Sequence, residues 1–341
     1  MRPKEFRLYN WLIKHAQGAK FNLASSGLTE PDLPKMGIDT SYEHFARAHV
    51  SHEALMKEAI SELYGVDDEN IVLTSGASEA IFIAFAAFGS GKTALVPLPN
   101  YEPIFVVPES LGMRVGHSIA VKPRSDLMYA LTNPNNPTGR CLDGDEQDLL
   151  IDAAREGATV FVNETYKEFM FQGRPHSLFQ EEQDIIVCSS MTKFFGLGWL
   201  RVGWLMADRK KARKMTQVMR LLSGHNSEYS LYIARQVLAK RVEFVKRARR
   251  IYDGNLEVVR AFANTVDGVT LRLPDAAPFC LVRYEGKRSS IRLASELLRR
   301  KGVLVSPGDY FGAPQSFRMC FTLDGPMLAL GLDQVSDFLT K

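Results

Sequence analysis

Ser189-Ser190-Met191-Thr192-Lys193-Phe194-Phe195-Gly196-Leu197-Gly198-Trp199-Leu200-Arg201-Val202-Gly203 follows an apolar run, Ile185-Ile186-Val187-Cys188, and sets a lysine before an aromatic–glycine turn. A serine stands three residues before Lys193 and an arginine eight after it (201 − 193). Lysine forms Schiff bases with aldehydes, provided its surroundings help it lose a proton near neutral pH. A hydroxyl and a planar guanidinium are good partners for a phosphate monoester. Alone, the pattern decides little. A single lysine is ordinarily a solvated charge, and Ser-x-x-Lys also occurs in hydrolases of the β-lactamase type, with serine as nucleophile. Those enzymes add Ser-Asp-Asn and Lys-Thr-Gly further on; neither follows here, and Gly91-Lys92-Thr93 has the wrong order and lies upstream. An aldehyde and a phosphate on one small molecule suggest pyridoxal 5′-phosphate, to be weighed against the rest of the chain.

Working outward, apolar strand-like runs alternate with helical patterns from about Glu53. Asn70 to Thr74, Thr93 to Leu98, Arg114 to Val121, Leu127 to Thr132, Thr159 to Asn163, Ile185 to Ser189 and Val202 to Met206 read as strands. Glu53–Tyr64, an apolar stretch through Phe88 and Asp145–Glu156 read as helices. Continuous apolar strands separated by helices predict a mostly parallel sheet covered on both faces. Beyond Asp208 the pattern changes. Long charged helical stretches run to about Phe262, then come shorter strands at Val269–Leu273, Phe279–Tyr284, near Val303 and at Phe317–Phe321, with helices at Ile291–Lys301 and Leu328–Leu339. The expected fold is α/β: a three-layer α/β/α large domain over residues 41–225 and a smaller α+β C-terminal domain over 226–341. Residues 1–40 form an N-terminal segment associated with the small domain.

Composition excludes several classes. At 341 residues, 45% hydrophobic and 24% charged, the chain is an ordinary globular protein. Its net charge of +3 comes with no basic stripe interleaved with aromatics, so no nucleic-acid partner is expected. The runs Arg209–Lys214 and Lys246–Arg250 read as solvated helix faces. Cys141, Cys188, Cys280 and Cys320 form no C-x-x-C pair, and His44, His49 and His52 match no ligand spacing, so no metal is expected. No segment approaches the roughly 20 apolar residues of a membrane span, and a cytoplasmic setting is the default.

In open parallel sheets ligands gather at the carboxyl ends of strands. There the chain offers Gly76-Ala77-Ser78 opening a helix, Pro99-Asn100-Tyr101, Asn136 within Asn-Pro-Thr-Gly, Asn163-Glu164-Thr165-Tyr166, and Ser190 to Lys193. Each by itself has an ordinary structural use; five at successive strand ends are hard to assign to chance.

With these motifs the chain resembles the pyridoxal-phosphate-dependent aminotransferases of class I/II (aspartate aminotransferase superfamily, fold type I). The resemblance rests on Ser75-Gly76-Ala77-Ser78-Glu79-Ala80, Pro99-Asn100-Tyr101, Asn133-Pro134-Asn135-Asn136-Pro137-Thr138-Gly139, Glu164-Thr165-Tyr166, Ser190-x-x-Lys193 with Arg201-Val202-Gly203, Val305-Ser306-Pro307-Gly308 and Phe317-Arg318-Met319, in family order over almost the whole chain. It implies that Lys193 is the Schiff-base lysine and proton shuttle. Ser190, Arg201, Gly76 and the amides of Ala77 and Ser78 would hold the phosphate. Tyr101 would stack on the pyridine ring, and Asn136 and Tyr166 would donate to its phenolic oxygen. Arg318 would grip the substrate α-carboxylate, and Gly27 would fall where an N-terminal strand closes over the substrate. Tyr42 is the candidate for a tyrosine offered to the phosphate of a neighbouring subunit, which implies a homodimer with the site at its interface.

One position departs from the family. Three residues before Tyr166 the family has an aspartate that keeps the pyridine nitrogen protonated; this chain has Asn163. A neutral amide supplies no charge, and Glu164, next on the strand, is expected to point to the opposite face. Asn163→Asp is therefore expected to raise the transamination rate. The leading reading is amino-group exchange between an L-amino acid and a 2-oxo acid. A lyase, decarboxylase or racemase on the same scaffold, or a cofactor-binding protein with little turnover, remain the alternatives. Arg47 and His225 are read as surface residues, and no motif reports the substrate side chain.

Overall fold

A computed structural model describes residues 1–172, 177–181 and 184–340. In chain order its elements are α1 (Arg7–His15), β1 (Phe21–Asn22), α2 (Tyr42–Arg47), α3 (His52–Tyr64), β2 (Ile71–Thr74), α4 (Ala77–Phe88), β3 (Thr93–Leu95), α5 (Pro103–Ser110), β4 (Arg114–Gly116), β5 (Leu127–Thr132), α6 (Gly144–Arg155), β6 (Thr159–Asn163), β7 (Ile185–Ser190) and β8 (Gly203–Met206). Then follow α7 (Arg209–Ser223), α8 (Glu228–Ala239), α9 (Arg241–Thr265), β9 (Val269–Leu271), β10 (Phe279–Tyr284), α10 (Ser290–Lys301), β11 (Val303–Leu304), β12 (Ser306–Pro307), β13 (Ser316–Cys320) and α11 (Gly325–Leu339).

Seven strands form the main sheet in the order β2-β8-β7-β6-β5-β3-β4. The neighbours from β7 to β4 pair in parallel, while β8 runs against both β7 and β2. Alternation along each strand sends side chains to both faces. Val160 and Val162 of β6 pack with Met56 and Ile60 of α3, Leu150 of α6 and Leu231 of α8 in one apolar core. Phe161 between them joins Ile81 and Phe85 of α4, Ile104 of α5 and Met215 of α7 in the other. These are the three layers expected from the apolar runs, each buried aliphatic or aromatic side chain contributing roughly 1.5–3 kcal/mol.

Local chemistry sets the element ends. Asp143 and Glu146 close a reciprocal capping box at the start of α6. Ser51, Ser227, Ser289 and Asp324 cap α3, α8, α10 and α11. The charged stretch after Asp208 resolves into three helices, interrupted at Gly224, with its positive φ of 71°, and at Lys240. The strand expected over 114–121 stops at Gly116, because β4 is an edge strand that pairs only where β3 offers partners. Leu98 does not extend β3, since Pro97 and Pro99 lack donors for a ladder.

A four-stranded antiparallel sheet, β12-β13-β10-β9, follows in the C-terminal part. The N-terminal segment joins it to the main sheet. β1 pairs with β11, and Trp11 Nε1 donates to Val305 O at 3.0 Å. On the other side the buried Glu102, beside Tyr101, accepts from the backbone N–H groups of Leu8 (2.7 Å) and Arg7 (3.2 Å), which are open at the start of α1. α1 is thereby fixed over the strand ends. Cys188, Cys280 and Cys320 are buried among apolar neighbours.

Candidate active site

The parallel strands of the main sheet end on one edge, and the loops after them carry the site. β2 runs into Ser75-Gly76 and the first turn of α4; β5 leads to Asn136, β6 to Asn163 and Tyr166, β7 to Ser190 and Lys193. Because β8 is reversed, its start rather than its end lies here, with Gly203 opposite both Thr74 and Ser190. That reversal brings Arg201 to the same edge. Opposite, β13 of the second sheet contributes Arg318. Between them lies a cavity of about 630 Å³, within the usual size for a small-molecule site.

Of the residues singled out from sequence, Ala77, Ser78, Tyr101, Asn136, Asn163, Tyr166, Ser190, Lys193, Arg201 and Arg318 line this cavity. Gly76 lies just behind the wall: a Cβ there would stand 2.7 Å from Arg201 Nη2, and its φ is +85°. Gly27 packs on the lysine, with a Cβ position 3.1 Å from Thr192 O and 3.5 Å from Lys193 Cα. Tyr42 is elsewhere, exposed at the start of α2 with its ring against Phe45 and Tyr229.

At one end of the cavity, Gly76 is the N-cap of α4 and has no side chain to cap it. The N–H groups of Ala77 and Ser78 therefore stay open, and helix dipole and open amides together favour an anion. Arg201 donates to Ser75 O (2.7 Å) and Gly198 O (3.3 Å), which holds its guanidinium over that turn. With Ser190 in the wall, these groups suit a phosphate.

In the middle stands Lys193. Burial, then the positive charge of Arg318, with a smaller push from Arg201, lowers its ammonium from 10.5 to about 8. Its Nζ donates to Ser26 Oγ at 3.2 Å, and Tyr166 donates to the same oxygen at 2.8 Å. Burial raises the Tyr166 phenol and pushes that of Tyr101 up to about 12, so both are neutral donors near pH 7.

At the other end Arg318 is buried, its guanidinium carbon 5.2 Å from the ring centre of Phe279 and 5.0 Å from that of Phe311. It donates to Asn136 Oδ1 (2.8 Å), Ala24 O (2.9 Å) and Ser306 Oγ (3.3 Å), while Nε is sealed in the interior without a partner among the described residues. No carboxylate lines the cavity among the described residues. A buried cation with only neutral partners costs several kcal/mol unless an anion joins it. A carboxylate on a ligand could supply that anion to Arg318.

Glu164 lies on the far side of β6, as the strand period requires. It is buried, accepts from Ser177 Oγ (2.7 Å) and Leu178 N (2.8 Å), and its carboxyl is raised by burial. Sequence reasoning missed Ser26, Thr165 and the wall made by Phe6, Leu8, Tyr9 and Leu12 of the N-terminal segment. Ser26 and Thr165 each sit beside a residue that was identified; the wall carries only the pattern of an amphipathic helix.

The family described as Aminotransferase class I and II matches residues 32–117 and 115–334. Histidinol-phosphate aminotransferase 2 of Carboxydothermus hydrogenoformans is 28% identical over 282 residues, 77% of this chain and 75% of that protein. A putative threonine-phosphate decarboxylase of Caldanaerobacter subterraneus subsp. tengcongensis is 25% identical, covering 75% of this chain and 73% of its own length. The crystal structure of a PLP-dependent aminotransferase from Streptococcus suis 89-1591 superposes with a TM-score of 0.87, covering 100% of this chain and 98% of that one at 22% identity, a likeness of fold.

Proposed function

Because the chain belongs to the class I and II aminotransferases, pyridoxal-phosphate-dependent transferases, we propose that it exchanges an amino group between an L-amino acid and a 2-oxo acid, with Lys193 holding the cofactor. One observation carries this reading: Lys193, its amine brought to about 8, shares a cavity with a buried Arg318 that has no carboxylate partner among the described residues. An α-amino acid brings a carboxylate for the one and chemistry at the adjacent carbon for the other.

The residues present fit the cofactor. The uncapped start of α4, Ser190 and Arg201 suit its phosphate, and Gly76 leaves the space that a Cβ would take from Arg201. Tyr101 offers a ring face, and Asn136 and Tyr166 offer donors to the phenolic oxygen. Bound pyridoxal phosphate supplies an aldehyde that takes up the amino group and a ring that withdraws electrons from the neighbouring carbon. In this proposal Lys193 takes and returns the proton at that carbon. Arg318 fixes the carboxylate, and Ser26 keeps Lys193 and Tyr166 in register. Phe6, Leu8 and Leu12 exclude water from the mouth of the site.

The division into residues 1–40, 41–225 and 226–341 belongs to the same proposal; the two larger sheets and the pairing of β1 with β11 support it, while α8, packed on α3 and the main sheet, ties the start of the third part to the second. So does a homodimer in which Tyr42, exposed and outside its own cavity, serves the partner's phosphate. A cytoplasmic setting accords with four unpaired cysteines. No described helix is long and apolar enough to cross a membrane.

Asn163 favours a second reading, a lyase, decarboxylase or racemase. Adding single amino acids to the holoenzyme and following the cofactor spectrum with product analysis separates the two. Transamination converts the cofactor to its pyridoxamine form with one oxo acid released per site; carbon dioxide, ammonia or an inverted amino acid without that conversion refutes it.

A further inference from the structure

Asn163 ends β6 at the cavity floor and is 5% exposed. Its Oδ1 accepts two hydrogen bonds from Thr165, one from the backbone N–H at 3.0 Å and one from the hydroxyl at 2.5 Å. A backbone N–H can only donate, so the amide has a single acceptable orientation: oxygen toward Thr165, Nδ2 away from it. Turning it over would set one donor against another. Among the described residues Nδ2 has no acceptor, and it is not one of the sealed, unpartnered atoms of the interior. The cavity is the surface this residue reaches.

We propose that Asn163 presents an N–H donor to the pyridine nitrogen of the cofactor and holds that nitrogen unprotonated. The proposal rests on the functional reading above and deepens it. A neutral ring nitrogen accepts the N–H of Asn163; a protonated one would meet it donor to donor. Among the described residues, no group on the surrounding elements reverses this preference. The cavity's ionisable side chains are Lys193, Arg201 and Arg318, cations or amines, with the phenols of Tyr9, Tyr101 and Tyr166. Cys188, opposite Asn163 on β7, is buried with its thiol pushed far up by burial. The carboxylate of Glu164 is turned away and occupied by Ser177 and Leu178. Thr165 thus acts as a positioning residue for the amide. A ring held neutral withdraws electrons weakly, which suits substrates whose carbon passes its charge quickly to a proton or a leaving group.

The test is ring-¹⁵N nuclear magnetic resonance of the full-length protein loaded with labelled pyridoxal 5′-phosphate at neutral pH, beside Asn163→Asp prepared in the same way. Expected is a wild-type resonance at the position of neutral pyridine and a shift to that of pyridinium in Asn163→Asp. A wild-type resonance at the pyridinium position overturns the inference while leaving the functional reading intact. A neutral position in both proteins also overturns it, since Asn163 then does not set the protonation state. Failure of the wild type to retain the label after gel filtration, with no cofactor absorbance, sinks the functional reading and the inference with it.

Discussion

Arg318→Lys keeps a positive charge in the cavity but removes the planar fork. A guanidinium has five N–H groups; three donate to Asn136, Ala24 and Ser306 and Nε is sealed in the interior, which leaves one Nη–H, with the charge, for a ligand (5 − 3 − 1). A charge-assisted hydrogen bond contributes about 1.5–3 kcal/mol. Arg318→Met, which removes that contact, should raise the half-saturating amino acid concentration roughly 10- to 150-fold, and Arg318→Lys, whose ammonium recovers part of it, by less. The carboxylate is unchanged through the reaction, so the limiting rate should fall less than the affinity. Single-turnover absorbance of the holoenzyme against amino acid concentration yields both quantities, and thermal melts check that the variants fold. An amine of the same side chain without the carboxylate serves as control, its binding being indifferent to Arg318→Lys. A rise below about threefold in both variants (~0.7 kcal/mol) would refute the assignment.

Two other perturbations probe the remaining ends of the cavity. Gly76→Ala puts a Cβ 2.7 Å from Arg201 Nη2, at a backbone conformation with φ of +85° and ψ of 174°. That strain costs about 1–3 kcal/mol, so cofactor affinity should weaken about tenfold or more in a fluorescence titration, and an unchanged affinity would count against the phosphate site. In cofactor-free protein, acetylation of Lys193 followed by peptide mass spectrometry should rise with pH with a midpoint near its value of about 8, because the neutral amine is the nucleophile. Removing the neighbouring cation in Arg318→Met should move that midpoint upward; a profile matching surface lysines in both proteins would show that the cavity does not tune the amine.

Much of this site was legible in one dimension. Runs such as Leu127–Thr132 and Ile185–Ser190 are apolar at every position, which only a strand buried on both faces accommodates, and the turn residues after them mark the strand ends. Within such a window the two-residue period also settles that Asn163 and Glu164 face opposite sides, as they do. Other features arise only when distant segments meet. Arg318 reaches Asn136 across 182 positions and Tyr166 reaches Ser26 across 140, and nothing near any of these residues specifies its partner. The reversal of β8 that delivers Arg201, and α1 fixed by Glu102 over the mouth, likewise depend on how sheet and helices pack. The same holds for Asn163. Its identity alone removed a charge from the cavity floor; the turn onto Thr165 decided which end of the amide faces inward, because an amide's donor and acceptor differ by a rotation that only its neighbours can choose.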